Sequence, residues 1–234
     1  MSRTVQSKWD RVSRLYDFTG WADERRFGAA KRRLFAGMQG RCFMVAAGTG
    51  NDFQFFPPGL TITAVDISPG MIERARVKAR RYQGALDIQL MDLTALEFPD
   101  ETFDTAVTSC TLCSVPDPIA GLRQVYRCLK PGGRLLMFEH VRSRVGPIAI
   151  AQDLMTPISR RFGPDMNRDT VGNLVRAGFE LRREANVYVD VVKAIEARRP
   201  GAASNKGGQD ETYSRDILHG DRQQRAQQSD SERH

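Results

Sequence analysis

No stretch of this chain approaches the roughly 18 consecutive apolar residues that a membrane-spanning helix requires, and its opening residues, MSRTVQSKWD, hold no apolar signal core. The expectation is a cytoplasmic protein without export signal or anchor, able at most to sit peripherally on the inner face of a membrane. Histidine is scarce, and His140, His219 and His234 lie far apart. The four cysteines, Cys42, Cys110, Cys113 and Cys128, lack the paired spacing of a zinc site, so no metal is expected and the thiols are read as reduced and structural. Aromatic residues are 8% of the chain and do not interleave with the basic ones as a base-stacking surface demands, which argues against a nucleic-acid partner.

What is present suits one globular domain. With 234 residues, 41% of them hydrophobic and 27% charged, the chain can bury one α/β core but not two ordinary domains once its polar end is set aside. The net charge of +7 is uneven, since residues 1–41 hold ten Lys and Arg against four Asp and Glu. Such a basic segment suits either an anionic lipid surface or a solvated face on a helix that lids the domain.

Apolar residues recur at helical spacing from Lys8 to Met38, with Gly20 as a break, which predicts two amphipathic helices over residues 1–40. From Arg41 the pattern changes to short apolar runs, CFMVAA, TITAVDI, DIQLMDL, FDTAVTSC and GRLLMFEHV, separated by helical stretches at Ser68 to Tyr82 and Pro118 to Leu129. Nearly continuous apolar strands alternating with helices are the signature of a parallel sheet covered on both faces, so the fold class is α/β with a doubly wound sheet. Further helices are expected at residues 150–162 and Asp169 to Ala177, then a closing antiparallel hairpin from runs at Glu180 to Glu184 and Asn186 to Ile195. Seven strands in a core of residues 41–197 result. Residues 198–234, rich in Gly, Ser, Gln and mixed charge, are expected to form a disordered tail.

In such a sheet, ligands bind beyond the carboxyl ends of the strands, where strand order reverses. After the first strand comes Ala47-Gly48-Thr49-Gly50, a turn that lets backbone approach a bulky ligand. Asp66 ends the second strand 16 positions beyond Gly50, placed to accept from both hydroxyls of a ribose, while Ser68 suits the N-cap of the following helix. Asp92 follows the third strand and is able to accept from an adenine amino group. The pair Gly132-Gly133 lacks Walker spacing and reads as a tight turn back into the sheet.

The runs GTGNDFQFFPPGLTITAVDISPGMIERA, MDLTALEFPDETFDTAVTSCTLCSVPDP and LRQVYRCLKPGGRLLMFEHV resemble the class I S-adenosylmethionine (SAM)-dependent methyltransferases of the broad ubiquinone-biosynthesis type. Within that group the likeness, over roughly residues 9 to 195, is greatest to bacterial phosphatidylethanolamine N-methyltransferases and membrane-associated thiol S-methyltransferases. The resemblance implies SAM as cofactor in a Rossmann-like fold. It sets Ala47, Gly48 and Gly50 against the methionine part, Asp66 and Ile67 at the ribose, Met71 near the adenine, and Asp92 with Leu93 at the adenine edge. Ser109 to Leu112, including Cys110, would line the pocket around the sulfonium, and Tyr16 on the lid helix would close over the donor. The chain departs from the family pattern at Met44 and Ala46, where an acidic residue and a further glycine are usual; the departure bears on how the amino group of SAM is held.

Methyl transfer needs nucleophile and methyl held in line with water excluded, so few catalytic groups are expected. An amine or thiol acceptor must also lose a proton, and Tyr16 and His140, with Glu139, are the candidates to take it. Arg142, Arg144, Arg160 and Arg161 are candidates to bind a lipid phosphate, and Trp9, Leu15, Phe18, Trp21 and Phe27 among basic residues suit an interfacial helix pair. The leading expectation is N-methylation of a phosphatidylethanolamine-type phospholipid. A small thiol or quinone-type acceptor is the second, and a non-catalytic SAM-binding regulator is the third.

Overall fold

The computed structural model describes residues 6–7, 9–10, 25–162 and 164–201, so Tyr16, Phe18 and Trp21 and the expected tail from 202 onward lie outside the described residues. Helix α1 (25–35) leads into a seven-stranded sheet of order β3-β2-β1-β4-β5-β7-β6. The strands are β1 (Arg41–Val45), β2 (Thr61–Asp66), β3 (Ala85–Leu90), β4 (Phe103–Ser109), β5 (Leu129–His140), β6 (Glu180–Tyr188) and β7 (Val192–Arg198). The first five are parallel, and β7 enters antiparallel between β5 and β6. Chain order reverses between β1 and β4, which opens a crevice at their carboxyl ends.

Strand periodicity explains the layers. On β1, Phe43 and Val45 point into one core and Cys42 and Met44 into the other. The first core is completed by Leu122, Val125 and Cys128 of α3 (Pro118–Cys128) and Leu174 of α5 (Thr170–Arg176). The second is completed by Leu34 and Phe35 of α1 and by Ile72 and Ala75 of α2 (Pro69–Ala79). Helix starts follow the capping rule: Ser68, Asp117 and Asp169 each accept a backbone N–H of the first turn, and Pro69 and Pro118 follow the first two caps.

Three details differ from the expectations. The break in the closing hairpin falls at Val189 and Asp190, both at positive φ, rather than near Ala185, because long-range pairing with β7 holds β6 extended as far as Tyr188. Gly132-Gly133 lies within β5 as a bulge, where Phe103 pairs Leu129 and Thr105 already pairs Arg134. Contacts with the sheet continue beyond 197: the Arg199 amide donates to Gly133 O at 2.9 Å, and its guanidinium reaches the carbonyls of Tyr126, Arg127 and Leu129.

Gly50 has φ +79, and a Cβ there would lie 2.7 Å from the Phe53 ring and 3.0 Å from the α2 backbone at Ala75. Its glycine is required by the close approach of the β1 turn to α2. Gly50→Ala is therefore expected to lower unfolding free energy by at least about 1–2 kcal/mol, the cost of the left-handed conformation alone, as read by urea denaturation.

Candidate active site

A cavity of about 560 Å³ opens at the carboxyl ends of β1 to β4. It falls within the size range of small-molecule sites. Ala46 and Gly48 supply the wall after β1, Asp66 and Ile67 that after β2, Met91 to Thr94 that after β3, and Ser109 to Thr111 that after β4. Met71 of α2 and the loop Ser114 to Asp117 close the sides, with Trp9 from the N-terminal segment.

Asp66 is the most constrained of these groups. One carboxylate oxygen accepts from the Gly48 amide at 2.8 Å and the other from the Ser68 amide at 2.9 Å. Each oxygen keeps a lone pair for a further donor, so the carboxylate is able to take a vicinal diol. Burial pushes its pKa up to about 6, against the lowering pull of those backbone N–H groups. Ser68, the N-cap of α2, donates its hydroxyl to Asp10, whose carboxylate also takes the Gly70 amide at 3.0 Å. That contact seats the segment that brings Trp9 to the cavity.

Asp92 accepts the amide and hydroxyl of Thr94 on a single oxygen, at 2.9 and 2.8 Å, as the cap of a short 3-10 turn at Leu93–Ala95. Opposite, the loop after β4 is clamped by Glu139. This carboxylate is fully buried and accepts the amides of Thr111 at 3.1 Å and Leu112 at 3.2 Å. Burial lifts its pKa to about 7. Cys110 in the same loop has φ +51, and burial beside Glu139 holds its thiol well above its ordinary pKa. A neutral thiol is a poor nucleophile, so it can line a site for an alkylating ligand without being alkylated.

Of the expected cofactor residues, Gly48, Asp66, Ile67, Met71, Asp92, Leu93, Ser109 and Cys110 all line this one cavity. Ala47 and Gly50 do not: the Ala47 amide is spent on Val65 O at 2.7 Å, and Gly50 packs on α2. His140 is also absent from the wall, because alternation along β5 turns the neighbouring Glu139 toward the loop of the site. The arginines are paired with carboxylates: Arg142 with Asp153 at 2.8 Å, Arg144 with Glu184 at 3.0 Å and Arg160 with Asp165 at 2.6 Å. None lines the cavity, and a phosphate there would have to compete with these partners. Tyr16 lies outside the described residues. Sequence reasoning did not place Trp9, Val65, Met91 or the loop Ser114 to Asp117 in the wall; Val65 and Met91 flank Asp66 and Asp92 at the strand ends, whereas Trp9 and the loop arrive through long-range packing.

A Cβ at Gly48 would meet no atom within 4 Å, so the turn after β1 leaves an open bay at the cavity floor. That bay, the diol-accepting Asp66 and the apolar slot between Met71 and Leu93 fit the methionine, ribose and adenine parts of SAM in that order. Among the described residues no group of three or more His, Cys, Asp or Glu is placed to hold a metal ion.

A doubly wound sheet with this cavity at its switch point defines a nucleoside-binding α/β domain, and comparison with known proteins narrows the class. Residues 43–137 match the methyltransferase domain family. The chain is 30% identical over 155 residues to the phosphatidylethanolamine N-methyltransferase of Cereibacter sphaeroides, covering 64% of this chain and 74% of that one. It is 32% identical over 141 residues to the thiol S-methyltransferase TMT1B of Rattus norvegicus, covering 58% of each. It is also 32% identical over 145 residues to the ubiquinone/menaquinone biosynthesis C-methyltransferase UbiE of Geotalea daltonii, covering 59% of this chain and 61% of that one. The chain thus spans less than two thirds of the last two relatives.

Solved structures agree on the fold. A SAM-dependent methyltransferase of Thermotoga maritima superposes with a TM-score of 0.63 at 19% identity, over 83% of this chain and 99% of that one. The [4+2]-cyclase SpnF does so at 0.60 and 19% identity, over 75% and 80%. The chain belongs to the class I SAM-dependent methyltransferase family, and SAM is its cofactor.

A pair of hydroxyl donors is held more strongly by an ionised carboxylate than by a protonated one, so if Asp66 takes such a pair, SAM affinity by calorimetry should be level above neutrality and fall as pH drops through about 6. Asp66→Asn should weaken binding about 10- to 100-fold and abolish that pH dependence, the loss expected for hydrogen bonds to a charged group. Glu139 carries the opposite signature on stability. Its folded pKa of about 7 exceeds the ordinary 4.5, so its contribution is fully present below 4.5 and is lost as pH rises through about 7. Glu139→Gln should remove that slope from urea unfolding measured across the same range. It should also lower stability by about 1–3 kcal/mol, since one of the Thr111 and Leu112 amides loses its acceptor.

Proposed function

We propose that this chain transfers the methyl group of SAM to the amino group of a phosphatidylethanolamine-type phospholipid. The observation that carries the methyl-transfer part is the convergence on one cavity of Gly48, Asp66, Met71, Asp92 and Cys110, from three strand ends, α2 and the turn after β1. The lipid part draws support from the Cereibacter relative, of whose length 74% is matched. The lining of the cavity is largely apolar, which suits an acceptor carried on an acyl-bearing molecule.

SAM supplies a carbon already activated by its sulfonium. The protein's own tasks are to bind, align and exclude water. Asp66 grips the ribose, the bay at Gly48 receives the amino-acid end, and Glu139 holds the loop from Cys110 to Leu112 rigid beside the reacting centre. Trp9 covers the cavity, seated through Asp10 on the N-terminus of α2. With His140 outside the wall, Tyr16 is the remaining candidate to take the acceptor proton.

A small thiol or quinone-type acceptor is the second reading, favoured by relatives of those two activities at 32% identity. Purified protein incubated with labelled SAM and mixed phosphatidylethanolamine/phosphatidylglycerol vesicles should give labelled mono- and dimethylated lipid on thin-layer chromatography. Release of S-adenosylhomocysteine with a thiol or quinone precursor but no labelled lipid would move the assignment to the second reading. Tight SAM binding with no release on any acceptor would instead describe a non-catalytic SAM-binding protein.

A further inference from the structure

Helix α4 (Gly146–Phe162) is built inside out. Its buried stripe is Ala149, Gln152 and Thr156, while Ile150, Leu154, Met155 and Ile158 are 55–73% exposed. The inward anchor is polar: the Gln152 amide accepts from Ser143 N at 2.7 Å and donates to Val141 O at 2.9 Å and Met166 O at 2.8 Å. The helix is thus fastened by hydrogen bonds and turns four of its large apolar side chains away from the core. Exposed apolar residues occur singly on any protein, but four on one helix, continued by Val145 at 47% exposure, form a patch that calls for an occupant.

Charge identifies that occupant. Residues 141–162 carry four arginines, two at either end, against the single carboxylate of Asp153. Arg144 and Arg160 remain 62% exposed while the carboxylates they pair with, Glu184 and Asp165, are only 13% and 9% exposed, so the outward layer is positive. A second copy docking helix to helix would set like charges against one another, which disfavours a symmetric dimer. An anionic bilayer offers both an apolar layer for the stripe and negative headgroups for the rim.

We propose that α4 is a membrane-docking helix that seats its Ile150, Leu154, Met155 and Ile158 face in an anionic lipid surface. The placement matters for the site because the segment after α4 is hydrogen-bonded to the cavity wall. The Asp165 amide donates to Cys113 O at 2.8 Å and the Arg168 guanidinium to Val115 O at 2.9 Å, and Val115 lines the cavity. Docking through α4 sets this wall of the cavity beside the bilayer. The inference goes beyond the acceptor assignment and holds whichever lipid or lipid-borne molecule is methylated.

The test is cosedimentation of the full chain with vesicles of phosphatidylethanolamine and phosphatidylglycerol, alongside sedimentation velocity without lipid. Leu154→Ser/Ile158→Ser should reduce partition at least about tenfold, since each lost apolar insertion is worth about that factor. Its melting temperature and SAM affinity should match those of the parent, and Val77→Ser, an equally exposed position on α2, should leave partition unchanged. Equal partition of parent and double variant would overturn the inference, as would no vesicle binding by the parent. A lipid-free dimer that the double variant dissolves would overturn it in favour of self-association. Labelled lipid is scored separately in the same samples: α4-dependent binding without lipid methylation would overturn the acceptor assignment and leave the docking helix standing.

Discussion

The carboxylate of Asp66 joins the turn after β1, the end of β2 and the start of α2 through its two backbone acceptor contacts, at Gly48 and Ser68. Through Ser68 the same junction extends to Asp10, and hence to the position of Trp9 over the cavity. Removing a carboxylate from water is costly, and burial shows that cost as the raised pKa. The expense is tolerated because a carboxylate offers lone pairs toward two backbone amides and the cavity together.

A second buried carboxylate performs the matching task on the other side of the crevice. Glu139 holds the amides of Thr111 and Leu112, which keeps the loop after β4 in place although Cys110 sits in left-handed geometry there. Loops that leave strand ends are ordinarily the least constrained part of an α/β domain. Here the loops on both sides of the switch point are fastened by buried acids, and Lys31, itself buried with Asp52 at 2.8 Å, stands near Glu139 as a compensating cation. Both clamps are made by the chain's own groups, and fixed positions of this kind are what an in-line transfer demands.

The helices divide their work unequally. The outer helices that the fold needs, α2 and α3, bury apolar stripes against the sheet. Helix α4, which the sheet does not need, buries a glutamine and a threonine and turns its apolar side chains outward. Periodicity alone locates such a helix but does not say which stripe faces the core, because both stripes repeat at the same spacing.

The sequence by itself determined the fold class and the strand ends that line the cavity. Strand runs bounded by Gly48, Asp66, Asp92 and Ser109 are local signals, and a parallel sheet brings successive strand ends together without further information. Local pattern also determined the helix starts, since Ser68, Asp117 and Asp169 act within one turn of themselves. Only the tertiary structure decided which members of the first glycine turn line the cavity: Gly48 does, while Gly50 serves packing on α2. Tertiary structure likewise turned Glu139 rather than His140 toward the loop of the site, because strand register sets which neighbour faces which side. The arginines after β5 looked available in one dimension, yet their carboxylate partners lie up to 40 residues away along the chain. Such partners meet only through folding, where long-range contacts, not residue type, decide what a charge is for.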